Sequence, residues 1–149
     1  MSVIDRFYTA FAKSDWATMG SCYSDGAHFS DPVFPDLDAK GVRAMWKMLL
    51  TSGRPLRITF TVLEEDATGG RCRWEAFYTF SKSGRPVHNI ITSTFTIKDG
   101  LIVKQVDAFD LWRWSRQALG TSGVLLGWSP LLRNKVRTQA ADNLRKAMA

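Results

Sequence analysis

Two aspartates stand where an acid is unexpected. Asp107 sits in the middle of the run Leu101 to Phe109, among Val106, Ala108 and Phe109, and aspartate is disfavoured inside a strand. A carboxylate there is either on a solvated face or inside a pocket that uses it. Asp31 lies in HFSDPVF, immediately before Pro32, where it can form a turn or face the same pocket. If both enter an apolar cavity, burial raises their pKa values and suits them to general acid or base work. Two carboxyl groups in a low-dielectric pocket do not both ionise easily. The only histidines are His28 and His88. His28 alternates with Phe29 along an extended run, which turns it away from that pocket, and His88 follows a turn, where exposure is the rule. With two histidines and two cysteines, Cys22 and Cys72, no dedicated zinc site is expected, and nothing calls for a cofactor.

The elements that must hold these groups follow from periodicity. Ile4, Phe7, Tyr8 and Phe11 have the spacing of an amphipathic helix. Ser14 or Asp15 caps a second, short helix with Trp16 and Met19. Ala27 to Asp31 reads as a short strand that ends at Asp31-Pro32. A third helix covers Gly41 to about Thr51, with Val42, Met45, Trp46, Leu49 and Leu50 as its apolar stripe. Trp16, Trp46 and Tyr8 are core positions by this spacing. Strand-like runs follow over Leu56–Glu65, Arg71–Ser81, Val87–Lys98 and Leu101–Phe109, joined by short glycine-containing turns, as in an antiparallel meander. Asp110 caps a last helix that carries Trp112 and Trp114; these two cannot share one helix face.

Helices segregated before an antiparallel sheet predict an α+β domain. Strong curvature of the sheet, with helices across its open side, makes a cone around a cavity. In the last strand Val103, Gln105, Asp107 and Phe109 share one face, and Ile102, Lys104, Val106 and Ala108 the other. With Asp107 inward, the neighbouring strand brings in Asn89, Ile91, Ser93 and Phe95, and the next Trp74, Ala76 and Tyr78. Tyr8, Trp46, Trp74, Tyr78, Asn89 and Ser93 are the candidate ligand-binding residues. This mostly aromatic lining suits a small, flat, hydrophobic, oxygenated molecule.

Composition narrows the class. The chain has 149 residues, 45% hydrophobic and 12% aromatic, as expected of one globular domain. No apolar run is long enough for a membrane span. MSVIDRFYTAFAK lacks a basic flank before an apolar stretch, so no signal peptide is expected. Two cysteines fit a reduced, cytoplasmic setting. The net charge of +6 is concentrated in residues 119–149, which hold five Lys or Arg and one Asp. The main domain has no basic run interleaved with aromatics, which argues against nucleic acid as a partner.

The helix-helix-strand opening, the Asp31-Pro32 step, Gly41 at the third helix and VDAFDL before the last helix together resemble the nuclear transport factor 2 superfamily. Within it, the chain resembles SnoaL-like proteins, relatives of polyketide cyclases, ketosteroid isomerase and limonene epoxide hydrolase, over residues 1–118. The resemblance implies the cone-shaped (cystatin-like) fold and a homodimer across the convex side of the sheet. It places Asp31 where ketosteroid isomerase keeps its proton-abstracting aspartate. The Asp and Tyr of that enzyme's oxyanion hole correspond to Ser93 and Phe7, with Tyr8 adjacent. Asp107 falls at a water-activating aspartate of limonene epoxide hydrolase, whose Arg and second Asp correspond to Trp74 and Ala76. SnoaL cyclases use an aspartate and a histidine. These departures leave two expectations. One is a cyclase-like or isomerase-like enzyme working through Asp31 and Asp107. The other is a non-catalytic domain that binds a ligand or a partner protein through the same cone.

Residues 119–149 are expected to form a basic helical extension. Gly120, Gly123 and Gly127 break the chain into a loop, then Ser129-Pro130 starts a helix as cap and N1 proline. Leu132, Val136, Ala140, Leu144 and Met148 recur every four residues. This narrow stripe packs on the domain or across a dimer, or else presents a basic amphipathic face to a membrane surface or acidic partner.

Overall fold

The computed structural model describes residues 1–126 and 129–149. Its elements run α1 (Val3–Ala12), α2 (Trp16–Ser21), β1 (Tyr23–Ser30), β2 (Leu37–Asp38), α3 (Ala39–Leu50), β3 (Leu56–Asp66), β4 (Gly69–Thr79), β5 (Pro86–Lys98), β6 (Leu101–Ala108), α4 (Leu111–Leu119), α5 (Thr121–Leu126) and α6 (Pro130–Met148). Five helices start on a side chain that accepts a backbone N–H of the first turn: Ser2, Asp15, Asp38, Asp110 and Ser129. Such caps satisfy donors that the helix leaves unpaired. β1 begins at Tyr23, four residues before the expected start, and this brings Tyr23 itself into the core.

The six strands form one curved sheet in the order β2-β1-β6-β5-β4-β3. β3 to β6 make the expected antiparallel meander. β1 departs from it by running parallel to β6, because α3 and the whole meander separate the two strands in sequence. On the concave side α1 and α3 close over the sheet. Phe7 stands at the centre, meeting Tyr8, Tyr23, Trp46 and Phe95 at centroid distances of 5.0 to 6.0 Å in edge-on contacts, the arrangement that ring quadrupoles favour.

One strand face differs from simple alternation. Opposite Thr96 and Ile97 of β5 stand Lys104 and Ile102, so Val103 is an extra residue, a bulge. It rotates the chain before it by one position. Ile102, expected on the outer face, is therefore fully buried, while Lys104 and Val106 remain outside. Trp16, expected in the core, is 36% exposed and carries the Lys47 ammonium over its ring. Trp114 turns inward and Trp112 outward, as their spacing requires.

The expected loop after α4 contains α5. Gly120 ends α4 with φ of 65°, but Gly123 lies inside α5, where a Cβ would stand 1.9 Å from the Ser115 carbonyl oxygen. Glycine at that position permits close packing of the two helices rather than a break. Gly127 lies outside the described residues.

α6 packs on the domain. Leu144 joins the main core, Val136 touches a second cluster of Val87, Leu111, Trp114 and Ala118, and Arg137 Nε donates to the Pro32 carbonyl over 2.8 Å. Leu144→Ala is expected to cost about 2–5 kcal/mol, the usual range for a buried leucine. Leu131→Ala, at an 82% exposed position, should change nothing measurable. Chemical denaturation of both variants checks this; equal effects would mean that α6 is not docked in solution. Among the described residues no helix is long and apolar enough to cross a membrane.

Candidate active site

Asp107 is placed by register. It faces Ser93 across β6 and β5, and Gln105 faces Phe95 one level along. On the other side β1 pairs Phe29 with Gln105 and Ser30 with Val106, so Asp31 leaves the strand level with Asp107. The loop that follows is held by Asp31 itself, whose Oδ1 accepts the N–H groups of Val33 (2.7 Å) and Phe34 (2.6 Å). The turn-forming and pocket-facing roles of Asp31 therefore coincide.

Both aspartates line one cavity of about 290 Å³, together with Trp46, Trp74, Tyr78 and Asn89. Its wall is mostly apolar, with Phe11, Phe34, Ile58, Ile91 and Phe109 among the lining residues. Tyr8 and Ser93 are not part of this wall. Both are fully buried, and they form the layer behind Asp107 and Trp74. Neither histidine enters the cavity. His28 is exposed beside Asp36. His88 sits on the outer face, 2.8 Å from Glu75 and stacked on Phe77. The aspartate–histidine pair that the resemblance to cyclases implied is therefore not assembled.

A hydrogen-bond network of fixed polarity ends on Asp107. Ser93 Oγ accepts from Trp74 Nε1 (2.8 Å) and Tyr8 Oη (2.7 Å) and donates to Asp107 Oδ1 (2.5 Å). On the other side Trp46 Nε1 donates to Tyr23 Oη (2.9 Å), Tyr23 Oη to Gln105 Oε1 (2.5 Å), and Gln105 Nε2 to the same Asp107 Oδ1 (2.9 Å). An indole N–H can only donate, so both branches are polarised from their tryptophans toward the carboxylate. A proton on Oδ1 would force Ser93 to donate back to Tyr8, leaving the Tyr8 proton without an acceptor, and would oppose the Gln105 N–H. Oδ1 is thus held as a pure acceptor. Oδ2 receives no hydrogen bond from any described residue. Any proton that Asp107 carries sits on Oδ2.

Burial drives the electrostatics. Desolvation pushes the Asp107 pKa up to about 7, opposed by the bonds from Ser93 and Gln105 and reinforced by the charge of Asp31. Asp31 is also raised by burial, against the two backbone donors of its turn. The same burial holds the Tyr8 and Tyr23 hydroxyls well above their ordinary range, so both remain neutral donors. A carboxyl group balanced near neutrality, with one oxygen saturated and the other free, can accept or deliver a proton at a single point.

Two members of this network were not on the list of candidates read from sequence. Gln105 shares a strand face with Asp107, and a glutamine predicted inside an apolar cone was the available signal. Tyr23 had none, because its strand begins earlier than the local pattern indicates.

Comparison with known proteins agrees with this architecture. No curated protein matches the chain in sequence. Among solved structures, the chain is similar to IdmH of Streptomyces antibioticus, assigned as a polyketide cyclase, with 20% identity and a TM-score of 0.65, over 80% of this chain and 96% of that one. An LEH-like epoxide hydrolase of Mycobacterium tuberculosis matches at 16% identity and TM-score 0.60, over 87% and 92%. A protein of ketosteroid isomerase-like fold from Catenulispora acidiphila matches at 9% and 0.63, over 78% and 91%. At these identities the likeness establishes the fold. The sequence profile of the SnoaL-like domain matches residues 4–105, and the chain belongs to that family.

Proposed function

We propose that the cavity binds a small, flat, hydrophobic ketone or related oxygenated molecule and that Asp107 moves a proton on it, with Asp31 as the second carboxyl group. The carrying observation is the polarity of the network, which saturates Oδ1 and leaves Oδ2 of a near-neutral carboxyl group open. In its ionised form Asp107 takes a proton from a carbon next to a ligand carbonyl; the C–H electron pair passes into the enolate, and Oδ2 becomes O–H. Return of that proton to another carbon of the enolate completes an isomerisation. Attack of the enolate carbon on a second carbonyl forms a C–C bond, and Asp107 then protonates the new alkoxide, as in a cyclase. Asp31 raises the proton affinity of Asp107 through its charge and offers a second proton site in the same cavity.

Deuterium exchange at the carbon adjacent to the carbonyl of 1-tetralone, followed by proton NMR in D₂O, tests this reading. The protein is expected to accelerate exchange well above buffer, and Asp107→Asn to remove the acceleration. Saturable binding of the ketone with no exchange above buffer would instead establish a non-catalytic binding domain. Two buried, unpaired cysteines are consistent with the reducing cytoplasm as the site of action.

A second copy of the chain is the proposed partner of the outer sheet face. Val106 is 36% exposed there, half-buried Ile90 and Phe77 lie further along the same face, and a twofold contact would cover the same surface on both copies. Ile102 plays no part in it. Sedimentation velocity at micromolar concentration should give a dimer, and Val106→Glu a monomer. A wild-type monomer at that concentration rules the contact out.

A further inference from the structure

The cavity holds a second polar pole, away from Asp107, that the network does not use. Trp114 Nε1 donates to Tyr78 Oη over 2.7 Å. Since the indole can only donate, the Tyr78 oxygen is the acceptor and its own proton must point elsewhere. No described residue accepts that proton, and the side-chain amide of Asn89 makes no hydrogen bond with any described residue. Trp114 is itself fixed, buried on α4 and edge-on to Phe80 at 5.4 Å. Tyr78, Asn89 and Trp114 all line the cavity.

Register brings the two free donors together. Ala76 pairs with Asn89 and Tyr78 with Val87, so Tyr78 and Asn89 are diagonal neighbours on adjacent strands, roughly 7–8 Å apart and within side-chain reach of a common atom. Both residues are half-buried and line the cavity, so a ligand oxygen entering it can accept from the Tyr78 O–H and the Asn89 N–H. Along β5, Asn89 lies four residues before Ser93, the residue opposite Asp107. At about 3.3 Å per residue Asn89 and Ser93 stand roughly 13 Å apart along the strand, and Tyr78, level with Val87, is further still from Asp107. One carbonyl cannot meet both.

From this geometry we infer that Tyr78, oriented by Trp114 and assisted by Asn89, is the binding site for a ligand oxygen at the end of the molecule remote from Asp107. The ligand class is then a fused-ring ketone or phenol of about two to three rings, carrying an acceptor oxygen at that far end. This deepens the proposed function and rests on its reading of the cavity as a site for hydrophobic oxygenated molecules, but not on the proton transfer.

Equilibrium dialysis of the full chain with 9-fluorenone and with fluorene, which lacks only the carbonyl oxygen, tests the inference. The wild-type protein should retain the ketone about fivefold more tightly, the effect of one net hydrogen bond. Tyr78→Phe should bring the two affinities together by weakening the ketone alone. Trp114→Phe, which frees the hydroxyl to turn, should reduce the preference to about twofold and serves if Tyr78→Phe does not fold. Asp107→Asn should keep the preference. Equal binding by the wild-type protein, failure to retain either compound, or a preference that survives Tyr78→Phe would overturn the inference. So would a preference lost in Asp107→Asn, because the ketone would then be meeting the acid. A Tyr78-dependent preference in a protein that catalyses no exchange would uphold the oxygen site and sink the proton transfer alone.

Discussion

Asp107→Asn should abolish proton exchange and, at pH 8, yield a protein more stable than the wild type. The loss of rate is expected to be about a thousandfold, within the range for removal of a general base. The gain in stability follows from linkage. An aspartate near 4 in the unfolded chain and about 7 in the folded one binds its proton more tightly when folded. Folding is therefore favoured by this group at low pH, and the advantage is lost as pH rises from about 4 to about 7, where the native state must carry a desolvated charge. Above pH 7 the accumulated cost is on the order of 4 kcal/mol, from about 1.4 kcal/mol for each pKa unit. Asparagine avoids it while its Oδ1 still accepts from Ser93 and Gln105. Denaturation curves between pH 4.5 and 8.5 should show wild-type stability falling with pH more steeply than that of the variant. Asp31, also raised by burial, leaves the variant a shallower decline in the same direction. Parallel profiles, or a variant less stable at pH 8, would contradict the burial and polarity assigned to Asp107.

Ser93→Ala is expected to be strongly destabilising for the loss of one atom. The Ser93 hydroxyl receives Trp74 Nε1–H and Tyr8 Oη–H and gives its own proton to Asp107. Its removal leaves two fully formed donors in a dry interior without an acceptor, at about 1–3 kcal/mol each, so a loss of about 3 kcal/mol is expected. It also removes one of the two hydrogen bonds that oppose protonation of Asp107, and the pKa read from the pH–rate profile should rise above its wild-type value. Tyr8→Phe removes one donor and leaves the Ser93 bonds to Trp74 and Asp107 in place, so its effect should be near 1 kcal/mol. A Ser93→Ala protein as stable as the wild type, with an unshifted profile, would show that the hydroxyl is not the junction described.

Local physics made much of this protein legible from its residues. The stripe Ile4, Phe7, Tyr8 and Phe11, the caps at Asp15, Asp110 and Ser129, and the alternation of Leu56, Ile58, Phe60 and Val62 depend on near neighbours and on periods of 3.6 and 2. They therefore appear in order along the chain, and with them the α+β class, while periodicity left open which face of the last strand, and so Asp107, turns inward. Other features depended on pairings between distant segments. The Val103 bulge buries Ile102 because β6 must match β5 and β1 together. Tyr23 reaches Gln105 across 82 positions, and Tyr8 reaches Ser93 across 85. Periodicity states which face a side chain takes but not its depth, so Tyr8 and Ser93 read as cavity lining when they are the layer behind it. What the sequence determined by itself was most of the elements, α5 and β2 excepted, and the presence of an acid in the middle of an apolar strand. Only the tertiary structure decided which oxygen of Asp107 is free, because that depends on donors from α1, α3, β1, β4 and β5 arriving at one point, and no local pattern encodes their meeting.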